Sequence, residues 1–442
     1  MRKSLGLLIS FGVVGVGIAC SAGKASPGGK ASGGSAANGG FTLGGNGGTG
    51  ATAGTSMAMG ATGNVMIGTG GGAPVDAGND GPVDAGVCDQ LNVDTTEIVP
   101  TVALLVDTSG SMFQNPKPFW TPLYTALMDP TNGVVKQLED KVRFGFTSYK
   151  GVSGMCPSLI TVPYAINNYD AINAVYSTIG ATYNGQKWDT PTGAALAQTA
   201  TDLDAFQPVP PGPKFILLVT DGSPDTCDTP DPQCGQDASI KAVQDAYAKN
   251  IKTIPLGIGD ITDPAADGCD VNAGRCGLNH LQDVANAGAG QPVEPEIPNY
   301  LNQQCVKNKM VTASYAAVGG GGMAPYYTVS GSGTTADVTP LVAAIKQALI
   351  QTRSCTFNMT VIDNGTKQGV KITADADKGM LTYNGTALTF NDPNGWTLGS
   401  DLVSVTLNGT ACDSWKTNGG SLSVVFPCTV PHVEVPPPPD PK

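Results

Sequence analysis

The stretch Thr101-Val102-Ala103-Leu104-Leu105-Val106-Asp107-Thr108-Ser109-Gly110-Ser111 decides the fold. Residues 98–106 form a near-continuous apolar run, as expected for a strand buried on both faces of a parallel sheet. Similar runs return at 142–146, 215–219 and 251–258. Helical patterns lie between and after them, at 134–140, 192–203, 239–249, 278–287 and 337–351. Strands alternating with helices predict an α/β fold, a Rossmann-like, doubly wound and mostly parallel sheet covered on both faces.

In such a sheet the loops after strand C-termini gather at one edge, where ligands usually bind. Asp107-Thr108-Ser109-Gly110-Ser111 follows the first strand. Thr190 stands in Trp188-Asp189-Thr190-Pro191-Thr192, just before a helix, and Asp221 closes the third strand in Leu217-Leu218-Val219-Thr220-Asp221. Three loop tips can therefore bring Asp107, Ser109, Ser111, Thr190 and Asp221 together. Carboxylate and hydroxyl oxygens suit a hard cation such as Mg²⁺ or Mn²⁺. Few carboxylates among neutral hydroxyls leave much of the metal charge uncompensated, and an open position would draw an external carboxylate. The same residue types also cap helices and turns. Five of them in order, each at the end of an apolar strand, weigh against capping alone.

These residues resemble the metal-ion-dependent adhesion site of von Willebrand factor type A domains. The resemblance covers roughly residues 95–352. It implies Asp107, Ser109 and Ser111 as core ligands, Thr190 binding directly in a high-affinity state, and Asp221 acting mainly through water. It also implies a Mg²⁺-bridged protein ligand that contributes Glu or Asp. The whole layout is similar to exported bacterial lipoproteins of this class with a Gly-rich stem. Trp188, two residues before Thr190, is the aromatic placed best to meet a partner at the metal edge, with simple packing as the alternative.

Composition narrows the function further. The 442 residues carry 24 Lys+Arg against 36 Asp+Glu, for a net charge of −12. A nucleic-acid groove needs a basic stripe, and an acidic chain is repelled by anionic lipid. Neither partner is expected, and any membrane contact would run through a lipid anchor. Two histidines, His280 and His432, leave little room for imidazole chemistry, and no Gly-x-Ser-x-Gly, His-Glu-x-x-His or Walker A pattern occurs. No enzyme is expected.

Residues 1–19 read as a signal peptide: a basic Arg2-Lys3 start, then an apolar run too short to span a bilayer. The run ends Val16-Gly17-Ile18-Ala19-Cys20, which resembles a bacterial lipobox and marks Cys20 for lipidation. Residues 20–90 are a Gly/Ala/Ser-rich linker that cannot bury enough apolar surface to order itself. As a flexible tether it would reach roughly 45 Å. Removing Cys20 from the eleven cysteines leaves ten, enough for five disulfides in an oxidising compartment. Sequence proximity favours Cys227–Cys234 and Cys412–Cys428.

The α/β domain is expected over 91–352, interrupted by a Pro/Gly-rich insertion at 288–325. After it, Asn-Gly pairs at 364–365, 384–385, 394–395, 408–409 and 418–419 alternate with period-two segments. That pattern predicts hairpins with type I′ turns and a small antiparallel β extension over 353–430. Residues 431–442 read as a Pro-rich tail. The acid-rich loops holding Asp225, Asp228 and Asp231, and Asp260, Asp263, Asp267 and Asp270, read as solvated loops bracketed by cystines, with a second cation such as Ca²⁺ as the alternative. Together these readings describe a binding or adhesion module at a bacterial cell envelope, on the outer membrane or cell surface. The alternative is a structural envelope lipoprotein whose metal only stabilises the fold.

Overall fold

The computed structural model describes residues 90–437, apart from 115–117, 186, 210, 229–231, 263–276, 296–314, 317–320 and 364–365. The expected signal peptide, Cys20, the expected stem and most of the expected 288–325 insertion lie outside the described residues.

Among the described residues, seven strands and seven α-helices precede residue 352. The strands are β1 (Gln90–Glu97), β2 (Thr101–Asp107), β3 (Arg143–Val152), β4 (Met155–Ala165), β5 (Lys214–Thr220), β6 (Ile251–Ile258) and β7 (Tyr327–Val329). The helices are α1 (Trp120–Met128), α2 (Val134–Leu138), α3 (Tyr169–Ile179), α4 (Thr192–Ala205), α5 (Pro232–Ala248), α6 (Leu278–Gly288) and α7 (Val338–Ile350). One sheet runs β4-β3-β2-β5-β6-β7, with only the β3–β4 pair antiparallel. Every residue of β2 is buried, because strand alternation sends neighbours into two different cores. Val102, Leu104 and Val106 join side chains of α1, α2, α3 and α7, whereas Ala103 and Leu105 meet those of α4, α5 and α6. Burying a Leu of this kind stabilises by roughly 1.5–3 kcal/mol. Val293 and Tyr315, from within the expected insertion, pack into the second core.

A second set of strands follows: β8 (Thr356–Asp363), β9 (Thr366–Ile372), β10 (Met380–Tyr383), β11 (Thr386–Leu388), β12 (Trp396–Leu398), β13 (Ser404–Leu407), β14 (Leu422–Pro427) and β15 (His432–Val435). Helix α8 (Gly409–Asn418) interrupts them. Their pairings are all antiparallel, as expected. Two boundaries differ from expectation. Strand β1 belongs to this unit: Gln90–Val93 pair with β14 and Asp94–Glu97 with β8. The α/β domain is therefore inserted into the β unit, whose wall is built from both ends of the described chain. The polar run Gln-Leu-Asn-Val-Asp-Thr-Thr-Glu hid this, since only Val93 among its residues is buried. The supposed tail likewise contributes β15, paired with β9.

Of the four Asn-Gly pairs described, only Asn384-Gly385 makes the expected turn. Both residues have positive φ, 48° and 79°, and they join β10 to β11. Asn408 precedes α8, Gly419 ends it with φ of 62°, and Gly395 closes a turn onto the Asp392 carbonyl at 3.1 Å. The pair at 364–365 lies outside the described residues.

Both cystine pairings expected from proximity are replaced. Cys227 bonds to Cys156, with Cα atoms 5.3 Å apart, and Cys412 bonds to Cys355, at 5.5 Å. Cys234 is carried into α5 and fully buried, while Cys227 stays in an exposed loop over β4. Cys412 rides on α8 against the start of β8. Cys234 and Cys428 are also disulfide-bonded, to neither of these partners. Tertiary topology, which proximity ignores, decides both cases.

Candidate metal centre

Strand β2 ends at Asp107, whose side chain is fully buried. Its Oδ1 accepts the Ser109 N–H at 2.7 Å, folding the loop back over the strand end. Its Oδ2 accepts the Thr220 hydroxyl at 2.8 Å, across the β2–β5 pair. The Ser111 hydroxyl donates to Asp221 Oδ1 at 2.8 Å, and the Ser109 and Ser111 oxygens lie 3.1 Å apart. A serine hydroxyl has one proton. With the Ser111 proton given to Asp221, Ser109 must donate to Ser111. A relay of two hydroxyls therefore links the loop bound to Asp107 with Asp221. Ser111, at its outer end, is exposed.

Thr190 arrives on a third segment. The Gly110 N–H donates to the Trp188 carbonyl at 3.1 Å, and Asp189 pairs with Gly151 at the end of β3. Asp225 grips Thr190 from both sides: its carboxylate accepts the Thr190 N–H at 3.3 Å, and its own N–H donates to the Thr190 carbonyl at 2.8 Å. These bonds fix the backbone of Thr190 and leave its hydroxyl out of the exchange. The fourth strand contributes Gly259, at φ of 63°. A Cβ there would stand 2.8 Å from the Phe119 ring and 3.8 Å from Asp221 Cβ, so the turn that shelters Asp221 needs a glycine.

Electrostatics favour a cation here. Burial pushes Asp107 up to about 6, against the hydrogen bonds from Ser109 and Thr220 that pull it down. Burial and the neighbouring Asp107 charge push Asp221 well above the usual carboxylate range. Among the described residues, no Lys or Arg forms an ion pair with either carboxylate. Two buried acids without a basic partner are costly as a dianion, and a divalent cation is the charge that would relieve them. Among the described residues no cluster of three His, Cys, Asp or Glu gathers, so hydroxyls would have to complete the coordination shell. The donors present fit Mg²⁺ or Mn²⁺, which accept such oxygens and retain water.

Trp188 takes the packing role rather than that of a partner contact. It is 9% exposed, with the Lys150 ammonium 3.2 Å from its ring centroid and the Tyr183 and Phe113 rings edge-on at 5.2 and 6.0 Å. The side chain is walled in, and its backbone carbonyl is what serves the site. Of the acidic loops, Asp225 is committed to Thr190, and Asp231, Asp263, Asp267 and Asp270 lie outside the described residues. His280 is buried, and His432 sits on β15.

Residues 101–267 match the family model of the von Willebrand factor type A domain, and the chain carries a domain of that class. Solved structures to which the chain is similar include the conserved hypothetical protein BatB from Bacteroides thetaiotaomicron, 18% identical, covering 49% of this chain and 100% of that one, with a TM-score of 0.30. The pilus adhesin SpaC from Lactobacillus rhamnosus GG, in an open conformation, is 14% identical; the alignment covers 78% of this chain and 40% of the adhesin, at a TM-score of 0.38. Proximal thread matrix protein 1 from the mussel byssus, solved with a zinc-occupied MIDAS motif, is 14% identical, covering 61% of this chain and 51% of that one, at a TM-score of 0.31. No curated protein matches the chain.

Two residues that build the site escape sequence reasoning. Thr220 holds Asp107, yet in sequence it is simply the polar end of an apolar strand. Asp225 holds Thr190, yet it reads as one acid among several in its loop. The available signal for Thr220 was strand parity, which turns it toward Asp107 rather than along with Asp221.

Proposed function

We propose that Asp107, Ser109, Ser111, Thr190 and Asp221 hold one divalent cation, Mg²⁺ or Mn²⁺, whose open position captures a carboxylate of a protein or matrix ligand. The observation that carries this reading is the hydroxyl relay from the buried Asp107 loop to Asp221, ending at an exposed Ser111. A cation replacing the relay protons would be held from below by buried oxygens and open above to solvent. Asp107 and Asp221 would supply charge, the serine hydroxyls direct neutral ligands, and Asp225 would set the position of Thr190. Binding is the chemistry this reading assigns to the arrangement.

With Cys20 lipidated and the Gly-rich stem as tether, the domain would be displayed on a bacterial envelope, on the outer membrane or cell surface. Asp107→Ala should remove both Mg²⁺ binding and Mg²⁺-dependent retention on immobilised acidic peptide. Retention that survives this substitution and EDTA would defeat the proposal.

A further inference from the structure

The Asn-Gly pairs of the β unit serve more than turn geometry. The asparagines of two of them, Asn384 and Asn394, line one shallow, open depression of about 360 Å³ together with Tyr383, Thr386, Thr410 and Ser414. That size falls within the ~300–1,000 Å³ usual for small-molecule sites. Asn384 Oδ1 accepts the Ser421 N–H at 2.9 Å, and Asn394 Oδ1 accepts the Thr410 N–H at 3.0 Å. Each amide lies against a glycine, Gly420 or Gly409, whose lack of a side chain leaves room for it. A Cβ on Gly420, at φ of 139°, would lie 2.4 Å from Asn384 Oδ1, and one on Gly409, at φ of 45°, 2.4 Å from Asn394 Oδ1. The Tyr383 hydroxyl donates to the Gly419 carbonyl at 2.6 Å, which holds its ring at the cleft wall.

The consequence is chemical. An Asn side chain whose oxygen is committed to a backbone N–H still has two N–H donors to offer. Two such amides, exposed and held in place, face a cleft that also carries the hydroxyls of Thr386, Thr410 and Ser414. Among the described residues no charged side chain lines it, so an ionic ligand would find no counter-charge there, while Leu388, Ala411 and the Tyr383 ring add an apolar surface beside the amides and hydroxyls. A neutral sugar presents hydroxyls that both donate and accept, together with a C–H face suited to an aromatic wall such as Tyr383.

The geometry points to a binding site for a neutral carbohydrate of one or two rings in the β unit, sharing no residue with the proposed cation site. Two weak sites on one tethered chain would strengthen attachment to a glycan-bearing surface through effective concentration.

Saturation-transfer NMR on the full chain, with glucose, galactose, mannose and N-acetylglucosamine offered singly with and without EDTA, tests this. At least one sugar should receive saturation, and the signal should vanish in Ser414→Trp, which fills the cleft from α8. Thr386→Val, which removes one hydroxyl without filling space, should reduce it severalfold, and this variant decides if Ser414→Trp does not fold. The inference is overturned if no sugar responds, if the response is unchanged in the variant that folds, if EDTA abolishes it, or if a capped trialanine peptide responds as strongly as the best sugar. The EDTA arm separates this outcome from the fate of the cation site.

Discussion

Ser111 and Asp221, 110 positions apart, are joined by a hydroxyl–carboxylate hydrogen bond of 2.8 Å that closes the gap between the tips of the β2 and β5 loops. A hydrogen bond to a charged group contributes about 1.5–3 kcal/mol. Ser111 is exposed but Asp221 is buried, so Ser111→Ala takes the donor from a buried carboxylate and should lower stability by about 1–3 kcal/mol. Its Mg²⁺ affinity should fall by about tenfold or more, as one ligand and the bridge to Asp221 are lost together. Calorimetric titration with Mg²⁺ reads the change directly.

Asp107 makes the cation-free protein sensitive to pH. Its carboxyl is raised from 3.8 to about 6 by burial, so between those values the folded state binds more protons than the unfolded state. Stability without cation should therefore fall as pH rises from about 4 through 6. Saturating Mg²⁺ should flatten that decline, because the metal replaces the proton as the partner of the carboxylate. Protons compete for the same oxygen, so Mg²⁺ affinity should weaken below about pH 6. Chemical denaturation across pH, with and without Mg²⁺, checks the sign of each effect.

Thr220 is a positioning residue for Asp107. Thr220→Val keeps the shape of the side chain and removes the 2.8 Å bond to Oδ2, leaving a buried carboxylate oxygen without that donor. A loss of about 1–3 kcal/mol is expected. The apparent titration of Asp107 should move further up, since a hydrogen bond that favours the charged form is gone. NMR titration of the carboxyl distinguishes this from a simple packing defect.

Strand β1 ties the two parts of the fold together. It lies between β14 and β8, and at its end Glu97 pairs with Arg353 at 3.2 Å. Arg353 also donates to the Trp415 carbonyl at 2.8 Å and stands 4.8 Å over the Trp415 ring. A chain beginning after Glu97 should lose the cooperative melting of the β unit, followed by the fluorescence of the buried Trp396 and Trp415. Arg353→Met, which breaks this partly exposed pair and the bond to the Trp415 carbonyl together, should cost about 1–3 kcal/mol. Equal melting of the truncated and full chains would contradict the role given to β1.

How much of this was legible depended on how each residue was held. The parallel strands announced themselves because burial on both faces demands unbroken apolar runs, as in β2 and β5. The first strand did not, because Gln90–Glu97 exposes most of its side chains. Helix α8 was hidden by the Asn-Gly pairs at its two ends, which read as hairpin turns although Asn408 and Gly419 serve as helix boundaries. Within the site, Asp107, Ser109, Ser111 and Asp221 were readable from residue type and strand position. Thr220 and Asp225 act only through geometry, which spacing cannot supply. The cystines went astray for a related reason: Cys156 and Cys227 meet across 71 positions, and nothing local marks them as partners.

The central claim concerns a cation among these oxygens, and a crystal of the protein grown with Mn²⁺ tests it most directly through anomalous scattering. The account predicts a single strong peak between the Ser109 and Ser111 hydroxyls, with Asp107 and Asp221 beside it. A map with no peak there, and the Ser111–Asp221 hydrogen bond intact in saturating Mn²⁺, would contradict it.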